Sequence, residues 1–112
     1  MRSRVRGLLI PTSGKCQRLD LKPDLRTYQD LVGGYIQIIE LRGAMIYADE
    51  EGKMKDLDPN DRATSLWWEH GSGMDRIPII NRDYLVGPIV LVGFDGEVEI
   101  NLPEYFTEGL QL

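Results

Sequence analysis

The sequence holds one cysteine, one histidine and two phenylalanines among 112 residues. A lone thiol, Cys16, excludes an internal disulfide and points to a reducing compartment, so the expectation is a cytoplasmic protein. One cysteine and one histidine cannot supply the four ligands of a structural zinc site. Long apolar runs are missing too. Ile89-Val90-Leu91-Val92 is far short of the roughly 20 residues that a membrane-crossing helix needs. At the N-terminus, Arg2, Arg4 and Arg6 precede Gly7-Leu8-Leu9-Ile10 in the order of a signal peptide. Pro11 and polar residues follow, however, with no small-residue cleavage site, and the segment reads as a strand.

Positive charge is also in short supply. Thirteen Lys and Arg face 18 Asp and Glu, a net charge of −5. That argues against a general nucleic-acid binder, whose phosphate contacts need clustered cations. The basic end at Arg2, Arg4 and Arg6 leaves DNA association as a weaker alternative. An acidic surface suits a protein that engages a basic partner.

What is present describes one globular domain over residues 1–112, large enough to hold a core without metal or disulfide. Val5–Ile10 reads as a strand closed by Pro11-Thr12-Ser13-Gly14, and Lys15–Leu21 as its hairpin partner. Pro23-Asp24 opens a helix with Leu25, Tyr28, Leu31 and Val32 on one face, which Gly33-Gly34 ends. Tyr35–Leu41 and Ala44–Ala48 read as strands around Arg42-Gly43, and Met54–Leu57 as a short return strand. Asp58-Pro59-Asn60 caps a helix with Ala63, Leu66, Trp67 and His70 on one face, stopped by Gly71-Ser72-Gly73. Residues 74–84 read as a loop with a short extended piece. Val86–Val92 is a strand, Asp95-Gly96 turns into Glu97–Ile100, and Leu102-Pro103-Glu104 starts a short last helix. The fold class is therefore α+β: a mostly antiparallel sheet of about six short strands with two to three short helices.

The motifs that carry chemistry are weak. His70 and the nearby Thr64, Ser65 and Ser72 lack a strand-turn-helix nucleophile elbow, and His70 fits a helix C-terminus. Asp56–Asp61 resembles a calcium loop only until Asp61, where the loop needs glycine, and Trp67, where it needs glutamate. Gly33-Gly34 and Gly71-Ser72-Gly73 are neither a P-loop nor a dinucleotide fingerprint. No cofactor is expected. In Trp67-Trp68 the two side chains point about 100° apart on a helix. If Trp67 is core, Trp68 either packs under the following loop or anchors a partner.

Spaced blocks across the chain resemble the domain-of-unknown-function family 3846. They are Gly7-Leu8-Leu9-Ile10-Pro11, Leu31–Ile36, Ile46–Lys53, Leu57–Thr64 and Leu85–Val90. That family occurs in bacteria, actinobacteria among them, and in their phages. The resemblance carries no activity. It implies a small phage or mobile-element accessory protein, and its distinctive polar positions fall on Asp49, Glu50, Glu51, Gly52, Asn60, Arg62 and Thr64. These residues admit two readings. In one, Asn60 caps the helix and Glu50 or Glu51 pairs with Arg62 or Lys53. In the other, the Asp49–Lys53 turn meets the N-terminus of the 60–70 helix in a shared polar surface for an anionic ligand.

The leading expectation is a non-enzymatic binding module that engages a host protein, with Asp49, Glu50, Glu51, Asn60, Arg62, Thr64 and Trp68 as candidate contacts. The alternative is a protein that sequesters a nucleotide-like small molecule at Asn60, Arg62 and Thr64, with Arg62 pointing into a pocket. Catalysis by a carboxylate pair such as Glu50 and Asp61 is a distant third. A monomer and a homodimer are both compatible with exposed sheet edges.

Overall fold

The computed structural model describes residues 4–71 and 83–112. The expected hairpin forms from β1 (Val5–Ile10) and β2 (Gln17–Leu21). In α1 (Leu25–Val32), the Asp24 carboxylate accepts the Thr27 N–H at 2.9 Å as the N-cap. Gly33, at φ 92°, ends the helix in the left-handed conformation that glycine takes without steric cost. β3 (Ile36–Leu41) and β4 (Ala44–Asp49) pair along their whole length. α2 (Asp61–His70) follows Asn60, then come β5 (Ile89–Phe94), β6 (Glu99–Ile100) and a 3-10 helix at Glu104–Thr107.

The strands order as β2-β1-β5-β4-β3, every neighbouring pair antiparallel, and β6 pairs with β5 beyond the end of its contact with β1. The α+β class is therefore what the chain adopts, with six strands among the described residues. Among the described residues each face of the sheet carries one α-helix. On one face Leu8, Ile10, Ile46, Ile89 and Leu91 pack with Ala63 and Leu66 of α2 and with Phe106 of the 3-10 helix. On the other, Val5, Leu21, Tyr47, Val90 and Val92 pack with Tyr28 and Val32 of α1. β5 lies at the centre with both faces covered, which is why Ile89–Val92 is an unbroken apolar run rather than an alternating one. Burying each such side chain stabilises the fold by about 1.5–3 kcal/mol.

Three local expectations differ from the structure. Met54–Leu57 forms no strand. Leu57 N–H bonds the Gly52 carbonyl at 3.0 Å and Lys55 N–H the Glu51 carbonyl at 3.0 Å, so the segment closes on itself as turns. Asp56, at φ 57°, completes that reversal. The strand expected from Val86 starts at Ile89, because Gly87 sits at φ 73° and breaks the extended path. There Val86 makes only an isolated bridge to Pro59. The strand expected over Glu97–Ile100 shortens to Glu99–Ile100, because the Asp95 carboxylate caps the Glu97 and Val98 N–H groups at 2.9 Å and draws them into the turn. The loop expected over 74–84 lies outside the described residues, apart from Asp83 and Tyr84.

Candidate functional site

Asn60 is fully buried, and its side chain is a three-way brace. Its Oδ1 accepts the Ala63 N–H at 3.1 Å, the cap of α2. Its Nδ2 donates to the carbonyls of Ile10 and Gly87, each at 2.9 Å. One amide thus joins β1, the start of α2 and the segment leading into β5. Thr64 extends the knot. Its hydroxyl donates to the Asn60 carbonyl at 2.8 Å and accepts the Leu85 N–H at 2.9 Å. Arg62 reaches the β1–β2 turn, donating to the carbonyls of Pro11, at 2.6 Å, and Gly14. The N-terminus of α2 is therefore occupied by the chain's own groups, which matches the helix-cap reading. The salt bridge expected from Glu50 or Glu51 to Arg62 or Lys53 does not form among the described residues. Arg62 bonds carbonyls, and Lys53 pairs with Asp83.

The Asp49–Asp56 turn has a different character. Asp49 is buried, and its carboxylate accepts the Glu51 N–H at 2.8 Å and the Lys55 ammonium at 2.7 Å. Lys53 reaches Asp83 and lies 4.3 Å from the centre of the Tyr84 ring. Partial burial works against ionisation of Asp83. The Lys53 bond, the Tyr84 N–H and the Lys53 charge outweigh that, so its carboxyl lies below the usual carboxylate range. Both turn lysines are thus engaged. The carboxylates of Glu50, Glu51 and Asp56 make no ion pair among the described residues.

A cavity of about 260 Å³ opens here, lined by Gln37, Asp49, Glu50, Lys53, Asp83 and Tyr84. Trp68 donates its indole N–H to the Asp83 carbonyl at 3.0 Å, so α2 holds one wall of it. Of the residues singled out from the sequence, Asp49 and Glu50 line this cavity and Trp68 braces it. Glu51 borders a shallower hollow with Asp30 and Tyr35. Asn60, Arg62 and Thr64 line none of these, and Arg62 points to backbone rather than into a pocket.

One cluster escaped sequence reasoning. Tyr28 of α1 and Tyr47 of β4 stack with ring centres 3.9 Å apart and planes 10° apart. Both hydroxyls donate to the carboxylate of Glu99 on β6, Tyr28 at 2.7 Å. Burial first, and then the carboxylate, push both phenols above the ordinary tyrosine range, so they stay donors. The partners are 71 and 52 residues apart in the chain, a separation that no local pattern reveals. Cys16 is buried, and burial raises its thiol, which keeps it unreactive. Among the described residues no three His, Cys, Asp or Glu side chains gather as metal ligands, and no helix is long and apolar enough to cross a membrane.

Fold and surface together define a small α+β protein: an antiparallel sheet with a helix on each face and a polar, aromatic-lined hollow at one end. The chain belongs to the family described as Domain of unknown function (DUF3846), whose model matches residues 5–111. No curated protein and no solved structure matches it.

Proposed function

We propose that this is a non-enzymatic binding module, an accessory protein of phage or mobile-element type that acts in the cytoplasm and engages a basic surface of a host protein. The observation that carries this reading is the pairing of acids that no described cation answers with exposed aromatic surface at one end of the sheet. Glu50 and Glu51 stand between Tyr35, 66% exposed, and Tyr84, 46% exposed, with Met54 beyond them at 85%. Glu50 links the two aromatics. Its N–H bonds the Tyr35 carbonyl at 2.8 Å, and its side chain shares a cavity with Tyr84. Tyrosine and methionine are favoured in protein interfaces, and acids around them select a basic partner and speed its approach.

The test is affinity capture from the native cell, followed by titration of the captured protein against variants. Tyr84→Ala should weaken the association about tenfold or more, the loss of an anchoring aromatic. Glu50→Lys with Glu51→Lys should weaken it further and flatten its salt dependence. A partner held equally well by all of these variants would overturn the reading.

A further inference from the structure

We propose a second, independent binding site in the cavity between the β1–β2 hairpin and the 3-10 helix, built for a small organic acid: an apolar body carrying one oxyanion head, carboxylate or phosphate monoester. The cavity holds about 450 Å³, within the range of small-ligand sites. It lies on the α2 face of the sheet, at the opposite hairpin from the Glu50 surface.

Strand alternation builds it. Arg6 and Leu8 project from β1 to one face, and the antiparallel register sets Asp20 opposite Arg6 and Arg18 opposite Leu8. The cavity therefore has an apolar floor of Leu8 and Leu102 under a charged rim of Arg6, Arg18, Asp20 and Glu104. The rim alone balances two arginines against two acids, and Arg4 beside it adds a third cation. Asp20 is taken by Arg4, with Nε 3.3 Å from its carboxylate. Glu104 is taken by Arg18 through two prongs at 3.0 and 3.3 Å. Three guanidiniums facing two carboxylates leave one over, and Arg6 is the one without a close partner, its charge reaching Glu104 only from a distance. Its side chain makes no hydrogen bond or ion pair with any described residue.

Arg6 is also rigidly mounted. Its N–H bonds the Asn101 side chain and its carbonyl the Leu102 N–H, both at 2.8 Å, so β1 is clamped at the residue that carries the surplus charge. Arg18 and Glu104 are 57% and 75% exposed, and an exposed pair of that kind holds weakly. Glu104 thus occupies Arg18 as a replaceable stand-in. A ligand oxyanion takes the same two-pronged geometry on Arg18 while Arg6 answers its remaining charge, and the ligand's apolar body covers the leucine floor.

The experiment is titration of the full chain, followed by calorimetry and amide NMR, with phenyl phosphate, benzoate, inorganic phosphate and benzamide. Phenyl phosphate or benzoate should bind saturably and shift the amides of Arg6, Arg18 and Leu102, and which of the two is tighter identifies the head. Inorganic phosphate and benzamide, each lacking half of the recognition, should bind at least about tenfold more weakly. Arg6→Gln should lose about tenfold in affinity, the worth of one charged hydrogen bond. Arg26→Gln, which removes an exposed arginine on α1, should change nothing. Glu104→Gln should tighten binding, because the competing carboxylate is gone. No saturable binding of either aromatic acid, equal binding of inorganic phosphate, or equal losses from Arg6→Gln and Arg26→Gln would each overturn the site.

Discussion

Two polar regions a few residues apart in sequence behave in opposite ways. Asn60, Arg62 and Thr64 form a knot whose donors and acceptors bond the protein's own backbone, and Asn60 and Thr64 are buried there. Of its polar side chains the turn from Asp49 to Asp56 buries only Asp49, engages both lysines and leaves Glu50, Glu51 and Asp56 without a cation among the described residues. Residue type does not separate these regions, since both are rich in polar side chains. Backbone does. The knot sits where three segments converge and leave buried carbonyls to be satisfied, whereas the turn satisfies its own N–H groups locally. A polar residue in this protein is therefore a brace where it meets unpaired backbone, and available surface where the backbone is already paired.

Substitutions sharpen that contrast. The largest effect belongs to Asn60→Ala, which removes the α2 cap and strands two buried carbonyls. Together these should destabilise the protein by about 3–5 kcal/mol in urea unfolding. Thr64→Val keeps shape but leaves the Leu85 N–H unpaired in the core, for a loss of about 1–3 kcal/mol. Tyr47→Phe, on the other face, should lose about 1 kcal/mol at neutral pH by removing one donor to Glu99. Glu50→Lys with Glu51→Lys should leave stability within about 0.5 kcal/mol, as exposed substitutions do, while disturbing partner capture. A large loss from that last pair, or none from Asn60→Ala, breaks the comparison.

The tyrosine pair adds a pH dependence. In the unfolded chain both phenols ionise near the ordinary value of about 10. In the native state both are pushed above it, so above that pH the folded protein holds protons that the unfolded one has lost. Stability contributed by the pair is full below pH ~10 and falls as pH rises beyond it. Urea midpoints measured from about pH 8 to about pH 11.5 should fall at the alkaline end for wild type, and less steeply for the Tyr28→Phe, Tyr47→Phe double variant.

Much of the fold was legible because its signals are local. Asp24 and Gly33 bracket α1, Asn60 caps α2, and Asp95-Gly96 marks the β5–β6 turn, each through bonds within a few residues. Met54–Leu57 misled because it follows the polar Asp49–Lys53 turn where a return strand would lie, while bonds back to Glu51 and Gly52 and the left-handed Asp56 coil it on itself. The site was legible only in part. The cap role of Asn60 could be read from Asp58-Pro59-Asn60, but its bonds to Ile10 and Gly87 depend on tertiary convergence. The Tyr28–Tyr47–Glu99 cluster and the Arg6–Arg18–Glu104 rim assemble residues from distant strands, and only the sheet order brings them together.

Native-state hydrogen exchange tests the division between brace and surface most directly. The Ala63 and Leu85 amides, held by Asn60 Oδ1 and Thr64 Oγ1, should exchange only through global or near-global unfolding, while the Lys53 and Met54 amides exchange through local opening. If Ala63 and Leu85 instead exchange as fast as the turn, the knot opens locally, Asn60 and Thr64 are free to meet a ligand, and the division between brace and surface fails.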